Sequence, residues 1–201
     1  MVKVLLCKIK ELSKNEIDAI TAALSAEALS RLEKKRDGHL RAQSLCALTL
    51  LSELVGKEAL ARLKYRENGR PYLDGADLDI SISHTASLCA CAASDSSQSK
   101  IGIDIENCLF SSDEAKKIAR RFFSIGEQKL LNESKDESKT FLEIWTKKEA
   151  LKKRLGTDIP FSQLDTTLPE EYGVEFMTQA LSHATLSVCI KKGDRCEVRF
   201  L

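Results

Sequence analysis

Hydrophobic residues alternate with polar ones in several stretches of the chain and recur at helical spacing in others. Alternation predicts strands, which we place at 2–9, 78–83, 88–93, 101–106, 172–178, 184–191 and 195–201. The helical spacing predicts helices at 14–24, 26–36, 38–56, 112–122, 125–133 and 138–155. Asn, Gly and Pro predict turns within 67–78, and Lys192-Gly193-Asp194 predicts a short turn that joins the last two strands.

The order of these elements repeats once along the chain. Residues 1–99 run strand, helices, strands, and the same order starts again near residue 100. This order predicts an α+β fold with two similar halves, 1–99 and 100–201, rather than alternating βαβ units. Clefts where two halves meet are favoured binding places, so we expect a site near residue 100.

Composition narrows the function classes. The chain has 201 residues, a formal net charge of +1, 43% hydrophobic and 30% charged residues. A charge near zero argues against a general nucleic-acid binder, and no apolar run is as long as a membrane span. The N-terminus is too short and charged for a signal peptide. We therefore expect a cytoplasmic protein that needs no membrane.

The segment KIGIDIE, 100–106, places three isoleucines on one face of a strand and two acids, Asp104 and Glu106, on the other. One interpretation is an edge strand whose carboxylates are simply hydrated. The other is a magnesium site, because Mg²⁺ prefers a few carboxylates together with water and substrate phosphates. The strand alone leaves both open.

A third acid lies in the helix predicted at 138–155. Glu149 and Lys153 share a helix face and suit an ordinary ion pair. Five bases surround this acid, however, which suits the lining of a polyphosphate site: Lys147, Lys148, Lys152, Lys153 and Arg154. Further upstream, Glu127 is either another site acid or a first-turn acid of its helix.

The first half carries candidate phosphate ligands. Ser83 and His84 end a predicted strand, and Arg70 follows a turn. A structural role for the histidine is the alternative. A basic segment adds further candidates, with a solvated helix face as the alternative: Arg31, Lys34, Lys35, Arg36 and Arg41.

Taken in order, five segments resemble the 4'-phosphopantetheinyl transferase superfamily, and more narrowly its longer, surfactin-synthetase-activating type. They are NGRP (68–71), ISISHT (80–85), IGIDIE (101–106), FFSIGE (122–127) and WTKKEALKK (145–153). The resemblance implies an intramolecular pseudo-dimer with coenzyme A as co-substrate in the cleft between its halves. After the last motif, Asp158 stands where a second glycine is common in the family.

The resemblance also implies a role for each matching residue. Asp104, Glu106 and Glu149 would bind Mg²⁺, or Mn²⁺ in its place. Glu149, directly or through a water, would be the base, with Glu127 as second choice. Lys153 would face the pyrophosphate, with Lys148 in the same motif. The adenosine 3'-phosphate side would be held by Arg70 and His84 with Ser83, and Arg41 with Arg31 or Lys34 would assist.

The implied reaction moves the 4'-phosphopantetheine arm of coenzyme A to a serine of an apo-carrier protein (acyl, peptidyl or polyketide). Adenosine 3',5'-bisphosphate is the other product. Two rivals are a metal-dependent nucleotide phosphoesterase and a coenzyme A binding module without transfer. We expect a monomer, because one chain supplies both halves.

Overall fold

The fold comes from a computed structural model that describes residues 1–107, 110–156 and 159–201. The strands are β1 Val2–Lys8, β2 Leu63–Tyr65, β3 Pro71–Leu73, β4 Ile80–His84, β5 Leu88–Ser94, β6 Gly102–Glu106, β7 Val174–Ala180, β8 Thr185–Lys191 and β9 Cys196–Phe200. The α-helices are α1 Lys14–Thr21, α2 Ala26–Glu33, α3 Gly38–Val55, α4 Ser112–Phe122, α5 Ile125–Glu133 and α6 Glu137–Leu155. Short 3₁₀ helices cover Lys57–Arg62, Phe161–Gln163 and Pro169–Tyr172. The α+β prediction is confirmed.

The chain divides into two compact units. The first contains Met1–Ile101 and Asp194–Leu201, and the second contains Gly102–Gly193. A cleft between two halves, with a pseudo-dimeric arrangement, stays a prediction.

The first unit is built on a four-stranded sheet in the order β4-β5-β1-β9. Helix α3 covers one face of this sheet, where Leu50 packs with Leu5 and Cys91 in an apolar cluster. Helices α1 and α2 pack into a second cluster with α3 and with the small β2-β3 sheet. Asp37 begins α3 by accepting a hydrogen bond from the Leu40 N–H at 2.9 Å.

The second unit is built on a three-stranded antiparallel sheet in the order β6-β8-β7. This order matches β1-β5-β4 in the first unit, where the opening strand also pairs antiparallel with the second strand of a hairpin. Helix α6 packs on β6 and β8 as α3 packs on β1 and β5. The repeated order predicted from the sequence therefore has a counterpart in sheet topology.

The final strand departs from the prediction. Residues 195–201 were expected to follow 184–191 as the second arm of a hairpin in the second half. Instead β9 pairs parallel with β1, from Val2 opposite Cys196 to Leu6 opposite Phe200. The physical reason is that β1 offers an unpaired edge next to apolar partners, and a short turn signal does not specify which sheet the following strand joins.

Close contact between β6 and α6 positions both elements. A Cβ added to Gly102 would lie 1.8 Å from the Ala150 carbonyl oxygen and 2.7 Å from the Arg154 backbone nitrogen. A hydroxyl contact supports the same packing, because Thr146 of α6 lies 2.8 Å from the Ser187 hydroxyl of β8. Gly102 is therefore required by the approach of the helix backbone to the strand.

We expect Gly102→Ala to destabilise the protein by about 3 kcal/mol or more, because the clash is with helix backbone that cannot rotate away. Gly38→Ala is the control: it lies in the first turn of α3 with no atom within 4 Å of an added Cβ. This change is expected to be neutral or to stabilise by about 0.5 kcal/mol. Urea titration of both variants checks the difference, and equal stability of the two would contradict it.

Candidate active site

The acidic face of β6 lies under α6. Asp104 is only 5% exposed, and its Oδ1 accepts a hydrogen bond from Lys153 Nζ at 2.8 Å. The same ammonium donates to the Ile103 carbonyl oxygen at 3.0 Å. The isoleucines of β6 are fully buried on the other face. Among the described residues, β6 is an edge strand of its sheet, but the Asp104 carboxylate is buried rather than hydrated, so the first interpretation of KIGIDIE is wrong for this residue.

Burial and the negative charge of Asp104 contribute to raised pKa values of both Glu106 and Glu149. Burial raises the pKa of Glu149 above its ordinary value, and the Asp104 carboxylate raises it further, while Lys153 opposes the shift. Burial also raises the pKa of Glu106, with further contributions from Asp104 and Glu149. The three carboxylates are thus close enough to repel one another, and each ionised glutamate is costly without a nearby cation.

The three acids have the donor chemistry of a magnesium site, but their side chains are not arranged as one. Within the described ranges, no group of three or more His, Cys, Asp or Glu side chains is arranged as a metal site. The donors are nevertheless hard carboxylate oxygens that repel one another, which is the chemistry Mg²⁺ prefers. Lys153 supplies positive charge to Asp104.

Glu127 and Lys148 form a buried ion pair. Both side chains are 0% exposed, and Lys148 Nζ lies 2.6 Å from Glu127 Oε2. Glu127 Oε2 also accepts from the Ser124 N–H at 2.8 Å, which makes Glu127 the third residue of a capping box. Its Oε1 accepts from the Thr166 N–H and hydroxyl, both at 2.8 Å. Lys148 also donates to the Leu164 carbonyl oxygen. This pair ties α5 and α6 to residues 164–166.

In the first unit, Ser83 and His84 lie at the end of β4. Ser83 is buried, whereas His84 is exposed. Thr85 follows them and accepts hydrogen bonds from the Ser87 and Leu88 N–H groups at the turn into β5. Gln43 of α3 donates to the Thr85 carbonyl oxygen at 2.9 Å. The turn that carries His84 is therefore fixed to α3.

Arg70 lies mostly inside the first unit. Its Nη2 donates to Asp79 Oδ2 at 2.7 Å, to the Ile101 carbonyl oxygen at 2.9 Å and to the Ile80 carbonyl oxygen at 3.3 Å. Asp79 also accepts from the Ile101 N–H at 2.9 Å. The Arg70–Asp79 pair thus holds the start of β4 beside the residue that precedes β6.

The basic segment divides between two places. Arg41 donates to the Leu32 carbonyl oxygen at 3.3 Å, and Lys34 is the C-cap residue of α2, where its N–H donates to the Ser30 carbonyl oxygen at 3.2 Å. The two cationic residues therefore meet where a helix end favours positive charge. Arg31 instead lies over the Tyr65 ring, 4.2 Å from its centroid.

Sequence reasoning missed Asp79 and Gln43. Asp79 carries a weak signal, since an acid stands between Leu78 and Ile80 where a strand begins. Gln43 carries none, because its contact is 42 positions away in the sequence. Asp158, which stands where a second glycine is common in the resembled family, lies outside the described residues.

Comparison with known proteins bears on the second part of the chain. Residues 100–197 match the family model of the 4'-phosphopantetheinyl transferase superfamily. The match covers just under half of the chain, including β6, α6 and the acidic residues between them. It supports phosphopantetheine transfer in general and does not distinguish a subtype. A search of curated proteins found no match. No helix within the described ranges is long and apolar enough to cross a membrane.

Glu149→Gln is expected to raise the unfolding temperature by about 1–3 °C at pH 7 in the presence of a chelator. A carboxyl whose pKa is raised on folding costs stability above that pKa, and the cost disappears as the pH falls through it toward the ordinary 4.5. The difference between variant and wild type should therefore shrink in acid. Thermal unfolding from pH 7 to pH 4 tests this. A variant less stable than wild type at pH 7 would contradict it.

Breaking the buried Glu127–Lys148 ion pair should lower the free energy of unfolding. Glu127→Ala leaves the Lys148 ammonium buried without its carboxylate, and we expect a loss of about 3–5 kcal/mol. The double variant Glu127→Leu/Lys148→Met removes both charges and should lose much less than the two single changes together. Urea titration of Glu127→Leu, Lys148→Met and the double variant forms the cycle, and Glu127→Ala measures separately the cost of removing the carboxylate. Additive losses would show that the two side chains are not coupled.

Proposed function

We propose that this protein transfers the 4'-phosphopantetheine arm of coenzyme A to a serine of an apo-carrier protein and releases adenosine 3',5'-bisphosphate. We further propose that it is of the longer, surfactin-synthetase-activating type and acts in the cytoplasm. The observation that carries the proposal is the acidic group formed by Asp104 and Glu106 of β6 with Glu149 of α6, in which Lys153 pairs with Asp104.

These acids would hold Mg²⁺, which when bound would neutralise charge on the pyrophosphate. Lys153 adds a cation from the protein itself. Its side chain is 30% exposed, which leaves room for a phosphate oxygen as a further acceptor. Phosphoryl transfer depends mainly on such positioning and charge neutralisation.

Glu149 is the proposed base for the serine proton, directly or through one water. Burial and Asp104 raise its pKa, which makes its carboxylate a stronger base than an exposed glutamate. Glu127 is less suited, because it is fully buried and both its oxygens accept hydrogen bonds from the protein. We therefore assign the Glu127–Lys148 pair to the support of α6, on which Glu149 and Lys153 lie.

The adenosine end of the coenzyme is assigned to the first unit. Exposed His84 and the cations Lys34 and Arg41 are the proposed ligands of its 3'-phosphate, with Ser83 and Arg31 nearby in sequence. Arg70 is assigned to anchoring β4, since its Nη2 already serves three internal acceptors.

Incubation with an apo-carrier, coenzyme A and Mg²⁺ should add one phosphopantetheine to the carrier, seen by mass spectrometry. We expect Glu149→Gln to slow transfer by about a hundredfold or more, since it removes both a metal ligand and the base. Glu143→Gln is the matched control: it is the same change on the same helix, with no part in the proposed chemistry. An unmodified carrier across a panel of acyl, peptidyl and polyketide carriers would overturn the proposal.

The same assay separates the rivals. A phosphoesterase would consume coenzyme A without modifying the carrier, and a binding module would leave both unchanged. Excess chelator should abolish transfer, because the three acids would then lose the cation that offsets their repulsion. Transfer that persists in chelator would overturn the metal assignment and leave the transferase assignment intact.

A further inference from the structure

Strand β9 is one of the two edge strands of the first unit's sheet, and β4 is the other. Strand β9 pairs with β1 on one side, and no strand in 1–107, 110–156 or 159–201 pairs with its other side. Two large apolar residues lie exposed at this end of the sheet, Phe200 at 54% and Leu201 at 57%. An open edge of this kind offers backbone N–H and C=O groups to a further strand.

The hydrogen bonds between β9 and β1 show which backbone N–H and C=O groups of β9 point away from β1. The Val2 N–H donates to the Arg195 carbonyl oxygen at 2.7 Å, and the Leu201 N–H donates to the Leu6 carbonyl oxygen at 2.8 Å. Because backbone groups point alternately to the two sides of a strand, the odd-numbered residues of this segment face β1. The N–H and C=O groups of Cys196, Val198 and Phe200 therefore point outward.

Two residues of β9 that alternate with Cys196, Val198 and Phe200 carry opposite charges. Glu197 and Arg199 are exposed, and neither forms an ion pair or hydrogen bond through its side chain within the described part of the chain. Their neighbours on β1 are Lys3 and Leu5, respectively. The edge thus presents one acid and one base, two positions apart on the same face.

We infer that a second copy of this chain pairs with β9 in an antiparallel, two-fold symmetric arrangement centred on Val198. Val198 then faces its own copy, and Cys196 faces Phe200 of the other copy. All of these residues direct their backbone groups outward, so the register forms about six hydrogen bonds. Glu197 of each copy lies opposite Arg199 of the other, at the positions where side chains come closest.

Charge also selects this register. A shift by two residues in one direction would place Glu197 opposite its own copy, and a shift in the other would place Arg199 opposite its own copy. Like charges directly opposite are destabilising. Charges of one sign along an edge strand repel a second copy in every register, and such an edge is protected against self-association. Opposite charges at this spacing instead favour one symmetric pairing.

The inference does not rest on the proposed function. It departs from the monomer expected from the sequence, although each copy would still supply both of its own units. A strand-to-strand contact of this size lies at the weak end of protein interfaces. The dimer should therefore appear only at high protein concentration.

Sedimentation equilibrium over about 5–500 μM, a range suited to weak interfaces, is expected to show a monomer–dimer equilibrium. Glu197→Arg and Arg199→Glu should each weaken it about tenfold or more, because each puts two like-charged pairs opposite each other. A mixture of these two variants should form a heterodimer, since the facing charges are then opposite again. The double variant Glu197→Arg/Arg199→Glu should also regain the homodimer.

Val198→Pro tests the backbone contacts separately. The Val198 N–H points away from β1, so proline at this edge position should leave the unfolding temperature nearly unchanged and abolish the dimer. A monomer at every concentration for the wild-type chain would overturn the inference. A dimer insensitive to the charge variants and to Val198→Pro would overturn it as well, because its interface would then lie elsewhere.

Discussion

The candidate site depends on the direct contact between the α6 backbone and β6 at Gly102. No side chain fits between the strand and the Ala150 carbonyl oxygen. Because of this approach, a residue one turn along the helix, Lys153, reaches the Asp104 carboxylate two positions along the strand. The strand and helix motifs thus act as one unit of structure.

This arrangement brings several charged side chains of β6 and α6 close together in a partly buried region. Two acids of β6 and one of the lysine-rich helix α6 repel one another, and Lys153 offsets part of their charge. A second acid–base pair, Glu127 with Lys148, lies wholly inside the unit, where every oxygen of the carboxylate accepts a hydrogen bond. The two pairs differ in exposure: Glu127 and Lys148 are both fully buried, whereas Lys153 of the other pair is 30% exposed.

The two units share a strand order, yet they differ at the edge beside the opening strand. In the first unit β9 extends the sheet past β1, whereas β6 is the last strand of its sheet within the described residues. The end of the chain therefore adds to the first unit, although it follows the second in sequence. Its alternating acid and base then lie on an edge that another chain can reach.

The sequence by itself determined the elements. Alternation and helical spacing predict the strands and α-helices closely, since these periods depend on which face of each element is apolar. The short strands β2 and β3 and the short 3₁₀ helices of the described residues were missed, because segments of so few residues do not establish a period. The acids of β6 and α6 were also found from the sequence, as residue types that are costly on a packed element unless something compensates them.

Tertiary structure decided which of those residues meet. Arg70 and Asp79, Gln43 and Thr85, and Glu127 and Lys148 are each paired by packing between elements. Such pairing leaves no local signal, because a side chain's partner depends on the path of the chain in space. The sequence also could not predict that β9 joins the first unit's sheet, because that pairing depends on the path of the chain in space. A strand's pattern specifies its buried face, and the neighbouring edge that completes its hydrogen bonds is set by the rest of the fold.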